Sequence, residues 1–91
     1  MHVEITLLTR ERCDFCELAT QILQRLSTEF SFSISVVDID SPAGQALAER
    51  GGILFPPGIF LDGEPFSYGR PSDNRLRREL RRRLGAPRVG Q

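Results

Sequence analysis

Apolar residues recur in this chain with two different periods, and each change of period marks a boundary between predicted elements. Residues 3–9, VEITLLT, open with alternating apolar positions and become continuously apolar, which is typical of a strand buried on both faces. From Cys13 to about Glu29, apolar side chains recur every three or four positions and predict the first helix. Residues 32–38, FSISVVD, alternate again and are rich in β-branched residues, so they predict a second strand.

A second helix and a β-hairpin are predicted in the middle of the chain. Ser41 can cap a helix, and Pro42 has the backbone angle that a first helical turn needs. The stretch AGQALAER continues this helix as far as the glycine pair at 51–52. The next apolar stretch, GIFLDGEPFSYG, contains two short strands around an Asp62-Gly63 turn, which favours a hairpin.

One more helix, SDNRLRRELRRRL, follows the hairpin. It begins at Ser72 or Asp73 and carries one apolar stripe opposite a basic face; the stripe consists of Leu76, Leu80 and Leu84. The predicted order is β-α-β-α-β-β-α, an α/β arrangement whose first unit should be a right-handed parallel crossover. Because 91 residues can bury only one modest core, we expect a single domain over residues 1–84 and a flexible tail over residues 85–91.

Composition and charge narrow the class of protein. With 40% hydrophobic and 26% charged residues, the chain has a globular composition, and it contains no apolar run long enough to span a bilayer. No secretory signal is recognisable near the N-terminus, so we expect a soluble, cytoplasmic monomer. Residues 1–64 hold four Arg and ten acidic residues, whereas residues 65–91 hold eight Arg and two acidic residues. Every basic side chain is arginine, so no lysine is available for Schiff-base chemistry.

Cys13 and Cys16 are the chain's two cysteines. Residues three apart on a helix have Cβ atoms about 5–6 Å apart, whereas a disulfide needs roughly 3.5–4.5 Å. A cysteine at the helix start, where the backbone is not yet helical, relieves that mismatch. Unpaired N–H groups and the helix dipole also stabilise a thiolate there. Arg10 and Arg12 favour the thiolate as well, whereas Asp14 and Glu17 disfavour it, and such exposed charges each contribute about 1 kcal/mol or less. Cys13 is therefore predicted to be the nucleophile and Cys16 the resolving thiol.

Two other interpretations of the cysteine pair are open. A zinc site would need two further ligands, and His2 is the single histidine, which disfavours a closed site within one chain. A buried, inert pair is the second alternative, because cysteine falls readily on apolar faces. The spacing and the position at a helix start favour a working dithiol.

Several segments in this order resemble glutaredoxins and the related glutaredoxin-like redoxins of the thioredoxin fold. They are a first strand, RERCDFC opening a helix, FPPGIFLDG, and YGRPSD before the last helix. The resemblance covers residues 3 to about 84, so residues 1–84 are interpreted as a glutaredoxin-like domain. It implies a four-stranded mixed sheet of order 2-1-3-4 with three helices, with the cysteines beside a cis-proline loop. It also implies a dithiol–disulfide oxidoreductase that reduces protein disulfides or mixed disulfides and has no tightly bound cofactor.

The resemblance further implies a binding site for a thiol substrate. The family's spacing between proline, strand and turn puts the cis-proline at Pro57. Arg10 matches a basic residue that helps to hold a carboxylate of glutathione in glutaredoxins. Gly69, Ser72 and Asp73 match the turn and helix start where the other end of the tripeptide would lie, with helix N–H groups available for an anion.

Pro56 departs from the family's pattern. Family members pair an extended thiol substrate with both the N–H and the carbonyl of the residue before the cis-proline, and proline has no N–H. The turn SYGRP at 67–71 also resembles the SGFRP turn of glutaredoxin-like redoxins that reduce ribonucleotide reductase and are reduced by thioredoxin reductase. Expected partners are thus a disulfide-containing protein substrate and, as reductant, glutathione, another low-molecular-weight thiol or thioredoxin reductase. Phe15 is either a core residue or an exposed contact for a partner.

The last helix invites a different function, because six arginines lie within nine residues: Arg75, Arg77, Arg78, Arg81, Arg82 and Arg83. A solvated helix face explains them simply, since the dipole favours cations near the C-terminal end. We expect no nucleic-acid partner, because no aromatic residues are interleaved for base stacking. The alternatives to an oxidoreductase are an iron–sulfur carrier that uses Cys13 with an external thiol, and a redox-inactive docking module that uses the basic helix.

Overall fold

Seven elements follow one another in the predicted order in the computed structural model, which describes residues 2–87. The strands are β1 (Val3–Thr9), β2 (Phe32–Asp38), β3 (Gly58–Leu61) and β4 (Glu64–Tyr68). The helices are α1 (Asp14–Leu26), α2 (Pro42–Gly51) and α3 (Asp73–Leu84). Of the predicted tail, residues 85–87 follow α3, and residues 88–91 lie outside the described residues.

The four strands form one mixed sheet in the predicted order β2-β1-β3-β4. β1 runs parallel to β2, with Thr9 opposite Asp38, and antiparallel to β3, with Leu8 opposite Gly58. β4 runs antiparallel to β3, and Tyr68 lies opposite Gly58. The ends of β1, β2 and β4 and the start of β3 therefore meet at one edge of the sheet, which we refer to as the upper edge.

The sheet packs its two faces into two apolar clusters. The larger one lies between the sheet, α1 and α3, where the side chains of Ile5, Leu7, Leu23, Leu76 and Leu80 are at most 1% exposed. The smaller one, on the side of α2, contains Leu8, Ile39, Ile53 and Phe60. β1 contributes to both clusters, which confirms that it is the central strand inferred from its continuous apolar run. No helix among the described residues is long and apolar enough to cross a membrane.

α1 ends at Leu26, about three residues before the predicted end near Glu29. The hydroxyl of Ser27 donates to the carbonyl of Gln24, and the hydroxyl of Thr28 donates to that of Arg25. Such bonds offer the backbone an alternative to the regular helical ladder. The chain accordingly leaves the helix through turns, although the apolar pattern continues.

Candidate redox site

Cys13 is the N-cap of α1, at the position that the sequence predicted. Its backbone is extended, with φ −122° and ψ 106°, and its Sγ accepts a hydrogen bond from the N–H of Cys16 at 3.2 Å. Its carbonyl accepts bonds from the N–H groups of Cys16 and Glu17, each at 3.1 Å. The N-terminal dipole and an aimed N–H group thus face the Cys13 sulfur, and both favour a thiolate.

The two cysteines form a disulfide whose Cα atoms are 5.1 Å apart. That separation lies within the ordinary range for disulfides, as expected when one partner stands outside the regular helix. Cys13 is half-buried, whereas Cys16 is only 4% exposed and packs inside. An external thiol or disulfide therefore reaches the pair from the side of Cys13.

The peptide bond between Pro56 and Pro57 is cis, and both prolines are buried. Because Gly58 is paired with Leu8, Pro57 stands at the upper edge beside the end of β1, from which a short loop leads to Cys13. The carbonyl of Pro57 accepts the N–H of Gly69 at 2.9 Å. This bond links the turn after β4 to the proline loop. The topology thus brings Pro56, Pro57 and Gly69 to the edge of the sheet where Cys13 lies.

Arg10 is held in a two-point ion pair with Asp40. Its Nε lies 3.1 Å from Oδ2, and its Nη2 lies 3.1 Å from Oδ1. The hydrogen bonds from Arg10 lower the pKa of Asp40 and, reciprocally, raise the pKa of Arg10. Sequence reasoning did not place Asp40 in the site, although its position just after β2, the strand parallel to β1, is a usable signal.

The start of α3 is also occupied by contacts within the chain. The side chain of Ser72 accepts the N–H of Arg75 at 3.2 Å and caps the helix. The carboxylate of Asp73 lies 3.2 Å from Nη2 of Arg25 and 3.3 Å from Nη2 of Arg77. Asp73 therefore faces two guanidinium groups.

Large apolar side chains are exposed on the segments that flank the site. Phe15, between the cysteines, is 42% exposed, so it is not a core residue. Leu54 and Phe55, directly before the proline loop, are 78% and 51% exposed. The ring of Phe55 stands edge-on to Tyr68 with centroids 5.3 Å apart. Sequence reasoning missed Leu54 and Phe55, because an apolar residue in a loop carries no signal that distinguishes exposure from burial.

The basic face of α3 is largely engaged by its own helix and by neighbouring residues. Glu79 accepts hydrogen bonds from Arg82 and Arg83, which lower its pKa to about 2. The guanidinium of Arg75 lies 5.2 Å from the centroid of the Phe66 ring. These contacts favour the interpretation of a solvated helix face.

The sequence of this chain is matched by a family model described as Glutaredoxin-like domain (DUF836), over residues 4–81. The chain belongs to this glutaredoxin-like family. It is also similar to an uncharacterized protein of Mycobacterium tuberculosis, at 34% identity over 89 residues that cover 92% of this chain and 90% of the relative. These matches confirm the resemblance stated from the sequence motifs.

Two solved structures show the same fold. A mutant thioredoxin from Halobacterium salinarum NRC-1 superposes with a TM-score of 0.69 at 21% identity, over 88% of this chain and 73% of that one. A wheat glutaredoxin superposes with a TM-score of 0.59 at 22% identity, over 90% of this chain and 82% of that one. The glutaredoxin-like chain therefore has the predicted thioredoxin fold, and its Cys-x-x-Cys pair supports a redox role.

Proposed function

We propose that this glutaredoxin-like protein is a dithiol–disulfide oxidoreductase that reduces protein disulfides or mixed disulfides through Cys13 and Cys16. The observation that carries the proposal is the position of the Cys13 sulfur at the start of α1, where it accepts the N–H of Cys16. The N–H of Cys16 stabilises Cys13 both as an attacking thiolate and as a leaving thiolate. Cys16, buried one turn behind, is proposed to resolve the intermediate.

The proposed reaction transfers two electrons in two exchanges. In the first, the Cys13 thiolate attacks one sulfur of the substrate disulfide, forms a mixed disulfide and releases the other sulfur as a thiolate, which takes a proton from solvent. In the second, Cys16 attacks the Cys13 sulfur, the intramolecular disulfide closes, and the second substrate thiol departs with the Cys16 proton. Two molecules of an external thiol, or one dithiol, then reduce the Cys13–Cys16 disulfide, supply two electrons and two protons, and leave as a disulfide.

A protein substrate is favoured by the apolar side chains around the site. Phe15, Leu54, Phe55 and Tyr68 offer exposed contact area beside the cysteine and proline loops. Because these side chains are already partly buried, covering the exposed part of one of them contributes roughly 1 kcal/mol. Since Pro56 has no N–H to offer an extended substrate, side-chain contacts must supply a larger share of the binding free energy.

The remaining residues of the proposed binding site are Arg10, Pro56, Pro57, Gly69, Ser72 and Asp73. The carbonyl of Pro56 is proposed to accept the backbone N–H of an extended substrate, while Pro57 shapes the groove. The reductant is proposed to be glutathione or another low-molecular-weight thiol, or thioredoxin reductase, and no tightly bound cofactor is required. Offering the oxidised protein either glutathione with its reductase or thioredoxin reductase, each with NADPH, and following NADPH loss distinguishes these reductants.

Serine variants of the two cysteines test the assignment of their roles. Cys13→Ser should abolish both turnover and thiol labelling by iodoacetamide at mildly acidic pH, because the low-pKa thiolate is lost. Cys16→Ser, its matched control, should keep the labelling and trap a covalent complex with a disulfide substrate such as insulin. Mass spectrometry of the labelled and trapped species gives the result. If Cys13→Ser still captures substrate while Cys16→Ser does not label, the roles are reversed.

The alternative functions give different results in the same preparations. An iron–sulfur carrier would be coloured and would contain iron after anaerobic purification; among residues 2–87, no group of three or more His, Cys, Asp or Glu side chains could hold a metal ion. A docking module would bind its partner equally well with the cysteines oxidised or reduced. Turnover that survives when both cysteines are replaced by serine would refute a reaction through this pair.

A further inference from the structure

We propose that Asp40 is a specificity residue that makes the protein discriminate against reductants carrying carboxylates, by occupying Arg10. This inference rests on the proposed function, because it concerns the thiol that reduces the Cys13–Cys16 disulfide. The carboxylate of Asp40 and a carboxylate of the thiol compete for the same guanidinium. The carboxylate of Asp40 already makes the two-point contact with the guanidinium that the carboxylate of an anionic thiol would have to make.

Arg10 stands in the short loop that joins β1 to α1, three residues before Cys13, so we take its guanidinium to be one of the charges that an anionic thiol meets on its way to the disulfide. The side chain is half exposed, at 49%, and is therefore open to solutes. Left unpaired, it would attract an anionic reductant and could bind its carboxylate in a bidentate way. With Asp40 bound, the Arg10–Asp40 pair carries no net charge, and two N–H donors of Arg10 are already used.

Asp40 is held in place by the backbone rather than by the ion pair alone. The N–H of Ile39 donates to the carbonyl of Thr9 at 2.8 Å, which ties the turn after β2 to the residue before Arg10. The N–H of Asp40 donates to Oδ1 of Asp38 at 2.9 Å. Because these bonds hold the backbone of the turn, pairing Asp40 with Arg10 costs little additional backbone entropy.

Arg12 does not replace Arg10 in this argument. It lies in the same loop, is exposed, and has no ion pair with any residue in the described range 2–87. Whatever attraction Arg12 gives to an anionic thiol is present in the wild-type protein and in every Asp40 or Arg10 variant alike. A change in discrimination on substitution of Asp40 therefore reports on Arg10.

The test measures reduction of the protein's own disulfide, so it needs no identified substrate. The oxidised full-length protein is mixed with excess glutathione, which carries two carboxylates, or with neutral 2-mercaptoethanol. Samples are quenched with acid and alkylated, and mass spectrometry gives the reduced fraction of the protein over time. The second-order rate constant for each thiol follows from this fraction. Asp40→Asn should raise the ratio of the glutathione to the 2-mercaptoethanol rate constant about two- to fivefold, the range that an exposed ion pair supports. Dividing by the neutral-thiol rate cancels any change in the reactivity of the disulfide itself.

Two further variants make the result specific. Glu11→Gln removes one exposed negative charge from the same loop without changing the Arg10–Asp40 pair. It should raise the ratio of the two rate constants by less than about half as much as Asp40→Asn does. Asp40→Asn combined with Arg10→Gln should return the ratio to the wild-type value, because the freed guanidinium is gone. Circular dichroism confirms that each variant is folded.

The outcomes separate this inference from the proposed function. An unchanged ratio in Asp40→Asn, an equal gain in Glu11→Gln, or a gain that survives the loss of Arg10 would each overturn the role of Asp40. Failure of wild-type protein to reduce insulin with dithiothreitol would overturn the oxidoreductase function, whatever the ratio. A ratio that rises in Asp40→Asn and falls back in the double variant supports the inference.

Discussion

Replacing Gly44 by alanine tests how tightly α2 is seated against the turn that carries Asp40. A Cβ atom at residue 44 would lie 2.0 Å from the carbonyl oxygen of Asp38 and 2.7 Å from Cα of Ile39. Both are backbone atoms, and Cβ atoms in proteins essentially never approach another heavy atom within 3.0 Å. The start of α2 would therefore have to move outward by at least about 1 Å.

Two opposing terms set the size of the effect. Helix propensity favours alanine over glycine by about 1 kcal/mol. Overpacking costs about 1–3 kcal/mol, occasionally more, and here the obstacle is a carbonyl that also accepts the N–H and the hydroxyl of Ser41, at 3.0 and 2.7 Å. Because that carbonyl cannot turn aside without losing both bonds, we expect Gly44→Ala to lower the free energy of unfolding by about 2 kcal/mol, or Tm by about 8–16 °C.

Urea and thermal unfolding followed by circular dichroism measure this change. Ala43→Gly is the matched control, since it exchanges the same two residue types at an exposed position of the same helical turn. It should cost about 1 kcal/mol through propensity alone. If Gly44→Ala is as stable as the wild-type protein or more stable, then propensity decides the outcome and the close approach of α2 to Asp38 is not as described.

Two further predictions concern α3. The pKa of Glu79 is lowered from 4.5 to about 2 by Arg82 and Arg83, so its ion pairs stabilise the folded state fully above about pH 4.5 and are lost as the pH falls through about 2. Urea unfolding gives the decrease in the free energy of unfolding between about pH 5 and about pH 2. This decrease should be up to about 1 kcal/mol smaller in Glu79→Gln than in the wild-type protein, and equal decreases would contradict the pairing. Leu80→Ala should cost about 2–5 kcal/mol in unfolding free energy because Leu80 is 0% exposed, whereas Leu84→Ala at a partly buried position should cost clearly less; similar costs would mean that α3 packs differently.

The order of the elements was predictable because most boundaries carry a local signal. Ser41 and Ser72 accept N–H groups of Gly44 and Arg75, so the residues chosen as helix starts act as caps. The end of α1 was predicted less well. Its apolar spacing continues past Leu26, and nothing in that spacing reports the hydroxyl bonds that end the helix.

The cysteine pair was predictable for the same local reason, since three-residue spacing at a helix start determines its geometry. The ion pairs of the site were not. Arg10 meets Asp40 across thirty positions of sequence, and only the parallel register that sets Thr9 opposite Asp38 brings the two together. Likewise, the family resemblance placed Asp73 at the substrate site, and nothing in the sequence indicated its ion pair with Arg25 of α1.

These pairings change which interactions can govern recognition. With Arg10 bound to Asp40 and with Asp73 bound to two arginines, a small charged thiol gains only what remains after displacing an existing partner. Exposed ion pairs contribute about 0–1 kcal/mol each, and covering the exposed part of one large apolar side chain contributes roughly 1 kcal/mol, so that several such side chains together outweigh one ion pair. Phe55 and Tyr68, whose ring centroids are 5.3 Å apart, form contiguous apolar area that an extended polypeptide can cover. We therefore propose that protein partners are favoured over small anionic thiols, through apolar contacts that salt does not screen.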